Sequence, residues 1–191
     1  MNKGLKTALI VGGVILFFGA WLLIWGFGKY NAVIAMDEGV KAQWAQVENQ
    51  LKRRYDLIPN LVETVKGFAS HEKEIFTNIA EARTKYFTAQ SVGDKVAASK
   101  GLEGALSRLL MLQENYPQLK ANENFLKLQD SLEGTENRIA VERMRYNETV
   151  KVLNAYVRGF PGSIFAGLAS VQQAVYYDLP SAQEETPKVK F

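Results

Sequence analysis

The residues that could most readily do chemistry lie in the segment His71-Glu72-Lys73-Glu74, which holds the only histidine of the chain. Zinc sites of the HExxH type need a second histidine, but that position is occupied by Ile75. His71 and Glu74 supply two ligands, whereas zinc normally takes three or four from the protein. The pattern favours a solvated or capping histidine, and a metal-dependent sensor or enzyme that uses His71 with the neighbouring glutamates is the alternative.

Paired carboxylates are the second candidate for acid–base chemistry, and the sequence suggests the pairs Glu133/Glu136 and Glu72/Glu142. Such pairs could in principle do general acid–base work, but no nucleophile, phosphate-binding loop or cofactor motif occurs nearby, which favours solvated helix faces and helix pairing. The chain has no cysteine, which excludes disulfides, thiolate metal ligands and a cysteine nucleophile. We therefore predict that the protein is not an enzyme, with no catalytic residue, no metal and no cofactor.

The densest basic cluster is Lys52-Arg53-Arg54. Glu48 lies four residues before Lys52 and Asp56 three residues after Arg53, so ion pairs within one helix are the first interpretation. Binding of anionic lipid is the alternative, but about 36 Å of continuous helix would separate the cluster from the apolar N-terminal segment. That distance far exceeds the Debye length, beyond which dissolved salt screens electrostatic attraction.

Arg54 is a different case because it falls in an apolar helical row. We expect it to form a polar group in the bundle core with Glu136 or Glu142 as its partner, and such a pair fixes helix register more than it adds stability. The overall charge, 23 basic against 20 acidic residues, lacks the concentrated basic face that nucleic-acid binding requires. We therefore expect no nucleic acid among the partners.

The elements that must position these residues begin with an uncharged run of 22 residues from Thr7 to Gly28. About 20 apolar residues in a helix cross the ~30 Å hydrocarbon core of a bilayer. Trp21 and Trp25 lie in the second half of the run, where aromatic side chains suit the membrane interface. A cleaved signal peptide is the alternative, but the run is longer than a usual h-region. Residues 1–29 are therefore predicted to be an anchor in the lipid bilayer.

The distribution of lysines gives the expected orientation. Lys3, Lys6 and the N-terminal amine flank one side of the anchor, whereas Lys29 and Lys41 on the other side are offset by Asp37 and Glu38. The positive-inside rule then favours an N-terminus in the cytoplasm and a domain outside it. The chain is expected to be a single-pass membrane protein.

Residues 30–177 are predicted to form a bundle of α-helices. Over residues 31–88, two rows of every seventh residue form one apolar stripe, the pattern of a packed helix with shallow crossing angles. Pro59 lies in the middle of this helix, where we expect a kink or a local break, and Gly67 is a second weak point. The rows are Val33, Val40, Val47, Arg54, Leu61, Phe68, Ile75 and Ala82, and Asp37, Trp44, Leu51, Ile58, Val65, Glu72, Ile79 and Tyr86.

Three further helices are predicted after this one. Long helices with short connections pack antiparallel. The fold class is therefore all-α, with an N-terminal transmembrane helix followed by an antiparallel three- to four-helix bundle of long helices. The further helices run from an N-cap at Asp94 to Asn115, from an N-cap near Asn122 to Arg158 with a seven-residue apolar row from Phe125 to Phe160, and from Ser163 to Tyr177.

The segment from Gly159 to Tyr177 contains no charged residue. A short helix that closes the bundle is the first interpretation. A surface that faces a partner or the membrane and serves oligomerisation is the alternative. Residues 178–191 contain two prolines and are expected to be an extended tail. The candidate interaction residues in the apolar segment are Phe160, Gly162, Phe165 and Leu168.

Several motifs together make the chain resemble the LemA family of bacterial membrane-attached proteins. The resemblance covers nearly the whole chain, and its most specific part is the run LKRRYDLIPNLV. That run supplies Leu51, Lys52, Arg53, Arg54, Asp56, Ile58, Pro59 and Asn60, and further matches are Tyr30-Asn31, Trp44, Val65-Lys66-Gly67-Phe68-Ala69, His71-Glu72, Glu136-Asn137-Arg138-Ile139-Ala140, Arg145-Tyr146-Asn147 and Pro187-Lys188-Val189-Lys190-Phe191.

The resemblance implies an N-terminal anchor, an antiparallel helical domain and no established enzymatic activity. Some relatives look like lipoproteins with a cysteine just before the Tyr-Asn pair, but this chain has Lys29 there, so lipid attachment does not carry over. A relative implicated in forming an internal bacterial membrane organelle points to membrane organisation.

Three functions remain open from the sequence. The first is a non-enzymatic scaffold or adaptor in a bacterial membrane, which self-associates as a homo-oligomer or docks other membrane proteins and so organises or shapes the membrane. The second is an accessory subunit of a membrane protease or an envelope signalling system. The third is the metal-dependent sensor or enzyme that uses His71.

Overall fold

The computed structural model describes residues 3–177, and the side chains of all of these except residues 3 and 5–9. This part of the chain contains six helices and no strand, which confirms the all-α fold class. The predicted extended tail, residues 178–191, lies outside the described residues. The helices are α1 (Lys3–Lys66), α2 (Lys73–Thr88), α3 (Val92–Asn115), α4 (Pro117–Lys120), α5 (Glu123–Arg158) and α6 (Gly162–Leu168).

The contacts divide the chain into two compact units. Of the described residues, the first holds 3–41 together with Thr149–Ala174, and the second holds Ala42–Glu148 and residues 175–177. In the second unit, α5 runs antiparallel to α1, because Gln43 of α1 meets Glu142 whereas Arg54 of α1 meets Glu136. A bundle of antiparallel helices was the sequence prediction.

Helix α1 passes through Pro59 and ends at Lys66, so the predicted break lies at Gly67 rather than at the proline. A proline inside a helix costs about 3 kcal/mol. The flanking side chains Ile58 and Leu61 are 1% and 0% exposed, and their burial offsets that cost. After Lys66 the backbone N–H groups of Phe68 and Ala69 both bond the Val65 carbonyl, which closes the helix end.

Side-chain hydrogen bonds identify the N-cap residues of α3 and α5. The N-cap of α3 is Ser91 and not the predicted Asp94, since the Ser91 hydroxyl accepts from the Asp94 backbone N–H at 3.0 Å. Asn122 caps α5 as predicted, because its side-chain oxygen accepts from the Phe125 N–H at 3.0 Å. Pro117, which has no N–H to lose, begins α4.

Most apolar members of the seven-residue rows of α1 and α5, together with leucines of α3, form the core of the second unit, whereas Phe68, Ile75 and Ala82 of the first row are only partly buried. The buried members have at most 5% of their surface exposed and pack between α1, α3 and α5. They include Val47, Leu51, Ile58, Leu61 and Val65 of α1, Leu102, Leu106, Leu109 and Leu112 of α3, and Phe125, Leu132, Ile139 and Tyr146 of α5. The exception in the α5 row is Phe160, which lies beyond the helix end and is 87% exposed.

The fourth predicted helix is much shorter than the sequence pattern suggests. Helix α6 ends at Leu168 instead of Tyr177, and residues 171–176 have neither helical nor strand structure. Ser170 adopts a left-handed backbone (φ 56°), and the Val171 N–H returns to the Ala166 carbonyl at 2.9 Å. That combination is a helix-ending turn, which apolar periodicity alone does not reveal.

Candidate functional site

The predicted metal or acid–base residues do not form a reaction centre. His71 is exposed, and Glu72 accepts a hydrogen bond from the Tyr116 hydroxyl at 3.2 Å. Desolvation and this hydrogen bond raise the pKa of the Tyr116 phenol, so the phenol keeps its proton and remains the donor to Glu72. No group of three or more His, Asp or Glu within residues 3–177 is placed to hold a metal ion.

The carboxylates proposed as acid–base pairs bind separate partners. Glu142 accepts from Gln43 at 2.7 Å and from Arg145 at 2.8 Å, whereas Glu72 is bound to Tyr116. Glu136 is the carboxylate that meets Arg54. The contacts of Glu142 with Gln43 and of Glu136 with Arg54 join α5 to α1, whereas the bond between Glu142 and Arg145 lies within α5.

The basic cluster splits into one partly buried and two exposed side chains. Arg54 is only 12% exposed and pairs with Glu136, with Glu103 at 3.9 Å. Lys52 and Arg53 are exposed. The predicted pairing of Glu48 with Lys52 is wrong, because Glu48 pairs with Lys95 of α3, where both partners are partly shielded from water and the attraction is stronger. Of the ion pairs in the described part of the chain, none joins Arg53 to Asp56.

Beside Arg54, two tyrosines form a buried aromatic pair between α1 and α2. The rings of Tyr55 and Tyr86 lie 4.6 Å apart, edge to face, and the side chains are 0% and 2% exposed. Neither hydroxyl has a hydrogen-bond partner among the described residues. Burial raises the pKa of both phenols well above the ordinary value, so they remain protonated. Burying a polar atom without a hydrogen-bond partner costs free energy, so these two hydroxyls lower the stability of the core.

Side chains of α5 fasten the extended segment 171–177, which we call the strap. Within the second unit, the Tyr146 hydroxyl donates to the Val175 carbonyl at 2.7 Å and the Tyr177 N–H donates to Asn147 at 2.9 Å. Within the first unit, Asn154 bonds both the N–H and the carbonyl of Ala174, at 2.8 and 2.9 Å. Sequence reasoning missed the strap, although Arg145-Tyr146-Asn147 was among the family motifs.

The strap ends in an aromatic plug. The Tyr177 ring lies 6.2 Å from Trp44 and 4.4 Å below the guanidinium of Arg143, and its hydroxyl shares a 2.8 Å hydrogen bond with the buried Ser99. Trp44 also packs edge to face on Tyr146 at 5.4 Å. Trp44 and Tyr146 both occur in the motifs of the sequence, so these motif residues contact the strap.

A groove runs along the surface between α2 and α3, with a cavity volume of about 880 Å³. Its floor is made of small residues, among them Ala98, Gly101 and Gly104, and its rim carries charges of both signs, such as Glu81 and Arg108. Sequence analysis did not single out this groove. The signal that could have indicated it is the run of alanines and glycines in α3.

In the first unit, the residues predicted as an interaction surface surround the end of the apolar segment. Phe160 and Leu168 are 87% and 68% exposed, whereas Phe165 turns inward and meets Trp25 edge to face at 5.8 Å. Gly162 is buried, and a Cβ there would lie 2.1 Å from the carbonyl oxygen of Tyr156. Glycine is therefore required at this close approach.

The apolar segment itself is helical. Among the described residues, one helix is long and apolar enough to cross a membrane, with a mean hydropathy of 2.2 over its most apolar 18 residues. Trp21 is 55% exposed, and Gly28 has no neighbour beyond its own helix within 4 Å of a built Cβ. Thr7 lies in α1, but its side chain is outside the description.

Together, the long apolar helix and the strand-free domain define a membrane-associated helical protein. The model of the LemA family matches residues 43–191, and the chain belongs to that family. The chain is 26% identical to Magnetosome protein MamQ 2 and to Magnetosome protein MamQ 1 of Paramagnetospirillum magneticum, over 93% of this chain and 74% of each relative. It is 24% identical to Magnetosome protein MamQ of Magnetospirillum gryphiswaldense, with the same coverage.

Proposed function

We propose that the protein is a non-enzymatic scaffold or adaptor, anchored in a bacterial membrane by one helix, that self-associates or docks partner proteins and so organises that membrane. The observation that carries the proposal is the apolar half of α1. Its large side chains face outward, with Leu16 76% and Ile24 73% exposed, and the same helix continues without a break to Lys66. Lipid is the environment in which such a surface is stable.

The groove between α2 and α3 supports the docking part of the proposal. A floor of small residues lets the backbone of another helix approach closely, and the mixed charges of its rim can select a partner and its register. Gly101 and Gly104 are exposed, and a Cβ built on either meets no atom within 4 Å. The MamQ relatives are named as magnetosome proteins, which agrees with a role in membrane organisation.

The topology is part of the same proposal. Lys3 and Lys6 precede the apolar segment, and we place the N-terminus in the cytoplasm and the bundle on the opposite side. A membrane-impermeant label on a cysteine introduced at Met144, which is 67% exposed, reacts in intact spheroplasts if the bundle lies outside. Labelling only after lysis would mean that the bundle lies in the cytoplasm, opposite to the proposed topology.

The scaffold role is tested with the full chain in lipid nanodiscs or mild detergent. Wild-type protein should form a defined oligomer, or a defined hetero-complex after crosslinking in cells. Filling the groove with Gly101→Leu and Gly104→Leu should weaken that association by about tenfold or more, because the helix that fits the small residues is excluded. The matched control is Gly134→Leu, at an exposed α5 glycine with equal free space.

Light scattering and crosslinking patterns measure the outcome. Equal loss of association in the groove and control variants would remove the groove from the proposal. A wild-type chain that is monomeric at all concentrations and crosslinks to no partner in cells would overturn the scaffold role itself. Neither outcome bears on whether the apolar helix lies in lipid.

A further inference from the structure

Three apolar side chains around α6 form an exposed surface, which we call the α6 apolar face. Phe160, Ile164 and Leu168 are 87%, 53% and 68% exposed. Ile164 and Leu168 are four residues apart, the spacing that places side chains on one side of a helix, and Phe160 lies just before α6. From Gly159 to Tyr177 the chain carries no charged residue. Water alone is a poor partner for a contiguous apolar surface of this kind.

The α6 apolar face lies beside the end of the apolar segment of α1, in the same compact unit. The ring of Phe165, on α6, meets Trp25 edge to face at 5.8 Å, and it lies 3.8 Å from where a Cβ of Gly26 would be. One α1 turn further on, the Tyr156 hydroxyl donates to the Lys29 carbonyl at 3.1 Å. These contacts fix α6 at the level of Trp25 to Lys29.

The same level is where a membrane would meet water. The ammonium of Lys29 lies 5.9 Å from the centre of the Trp25 ring, so an interfacial aromatic and the first charge after the apolar run stand side by side. Tryptophan prefers the headgroup region, and a lysine at a helix end extends its charge toward water. Exposed Arg158, at the end of α5, adds a second cation close in sequence to Phe160.

We infer that the α6 apolar face inserts into the interfacial layer of the same bilayer that holds α1. The occupant of the face is lipid, with the apolar side chains among the upper acyl chains and the cationic side chains near the phosphates. Short amphipathic segments of this kind lie about 5–10 Å into the boundary. The inference rests on the anchoring part of the proposed function and is independent of the groove between α2 and α3.

The absence of cysteine from the chain makes a direct test available. Single variants Phe160→Cys, Ile164→Cys and Leu168→Cys of the full chain carry an environment-sensitive fluorophore, in vesicles of phosphatidylcholine and phosphatidylglycerol. A fraction of the lipids bears a nitroxide, near the top of the acyl chain in one set of vesicles and near its terminal methyl group in a second set, which serves the control in the middle of the apolar run. The positive control is Phe17→Cys in the apolar run, and the negative controls are Met111→Cys and Met144→Cys, whose side chains are 54% and 67% exposed.

The expected result is blue-shifted emission and strong nitroxide quenching at positions 160, 164 and 168, with little of either at 111 and 144. Quenching at 17 but not at the three α6 positions would overturn the inference and leave the anchor in place. Blue-shifted emission without quenching at the α6 positions would also overturn it, because a protein would then cover the face. Loss of quenching at 17 as well would overturn the anchoring on which the inference rests.

Discussion

Buried tyrosine hydroxyls in this domain have two different fates. The Tyr146 hydroxyl donates to the Val175 carbonyl at 2.7 Å, whereas the Tyr55 hydroxyl has no partner among the described residues. Both side chains are at most 1% exposed. A buried hydroxyl that makes a hydrogen bond raises the free energy of unfolding. One that makes none lowers it, because its lost hydration is not replaced.

Removing each hydroxyl should therefore have opposite effects on the free energy of unfolding. We expect Tyr146→Phe to lower it by about 1 kcal/mol, and Tyr55→Phe to leave it unchanged or raise it by up to about 1 kcal/mol. Urea unfolding of the full chain in detergent micelles, followed by circular dichroism, measures both. A loss for Tyr55→Phe as large as that for Tyr146→Phe would mean that the Tyr55 hydroxyl is satisfied in solution.

At the scale of elements, the sequence predicts helices better than their ends. The apolar rows of α1 and α5 were visible because burial repeats every three or four residues in both. The sequence predicted a kink or a local break at Pro59 and a second weak point at Gly67, but α1 continues through Pro59 and ends at Lys66, because burial of the neighbouring side chains outweighs one lost hydrogen bond. The end of α6 depends on the left-handed backbone conformation of Ser170, which no pattern of residue types in this segment predicts.

The strap was out of reach of sequence reasoning for a related physical reason. Asn154 and Asn147 bond main-chain atoms 20 and 30 residues away, and main-chain partners leave no signature in residue types. The groove reflects the small side chains of α3, and the alanines and glycines of that helix were visible in the sequence. The partner of Arg54 was also within reach, because a charge in an apolar row requires an opposite charge on a facing helix.

Helix α6 offers a prediction at this scale, because two of its glycines have contrasting surroundings. A Cβ at Gly162 would lie 2.1 Å from the Tyr156 carbonyl oxygen, whereas one at Gly167 would meet no atom within 4 Å. We expect Gly162→Ala to displace α6 and to lower the unfolding free energy by about 1–3 kcal/mol. Gly167→Ala should be neutral or raise it by up to about 1 kcal/mol.

Hydrogen exchange over residues 156–171, with thermal unfolding, compares the two α6 variants. Faster exchange confined to Gly162→Ala is the expected result. Equal behaviour of the two alanine variants would show that the contact between Gly162 and Tyr156 relaxes at no cost.

For the whole molecule, buried phenols link stability to alkaline pH. Burial raises the pKa of Tyr146 to about 12, and it raises the pKa of Tyr55 and Tyr86 further. An unfolded tyrosine loses its proton near pH 10, so above that pH the folded state holds more protons than the unfolded state. The stabilisation is complete below about pH 10 and is lost as pH rises toward the folded pKa.

We therefore expect the free energy of unfolding to fall above about pH 10, by up to about 1.4 kcal/mol per pH unit for each buried phenol. Denaturation midpoints measured together with phenolate absorbance provide the check. Because Tyr146→Phe removes one of these groups, its profile should fall less steeply than that of the wild type, which separates this effect from lysine titration. A stability that stays flat from about pH 9 to 11 would contradict the assignment.

The position of Tyr177 in the aromatic plug has a consequence for how the protein is made. At 5–20 residues per second, on the order of 10 s pass between synthesis of Trp44 and synthesis of the ring that covers it. During that interval the apolar end of α1 can already have entered the bilayer, while Trp44 and Ser99 still wait for their partner. The newly made chain is thus anchored in the membrane before Tyr177 covers Trp44. Proteases and chaperones can act on the incomplete core during that interval.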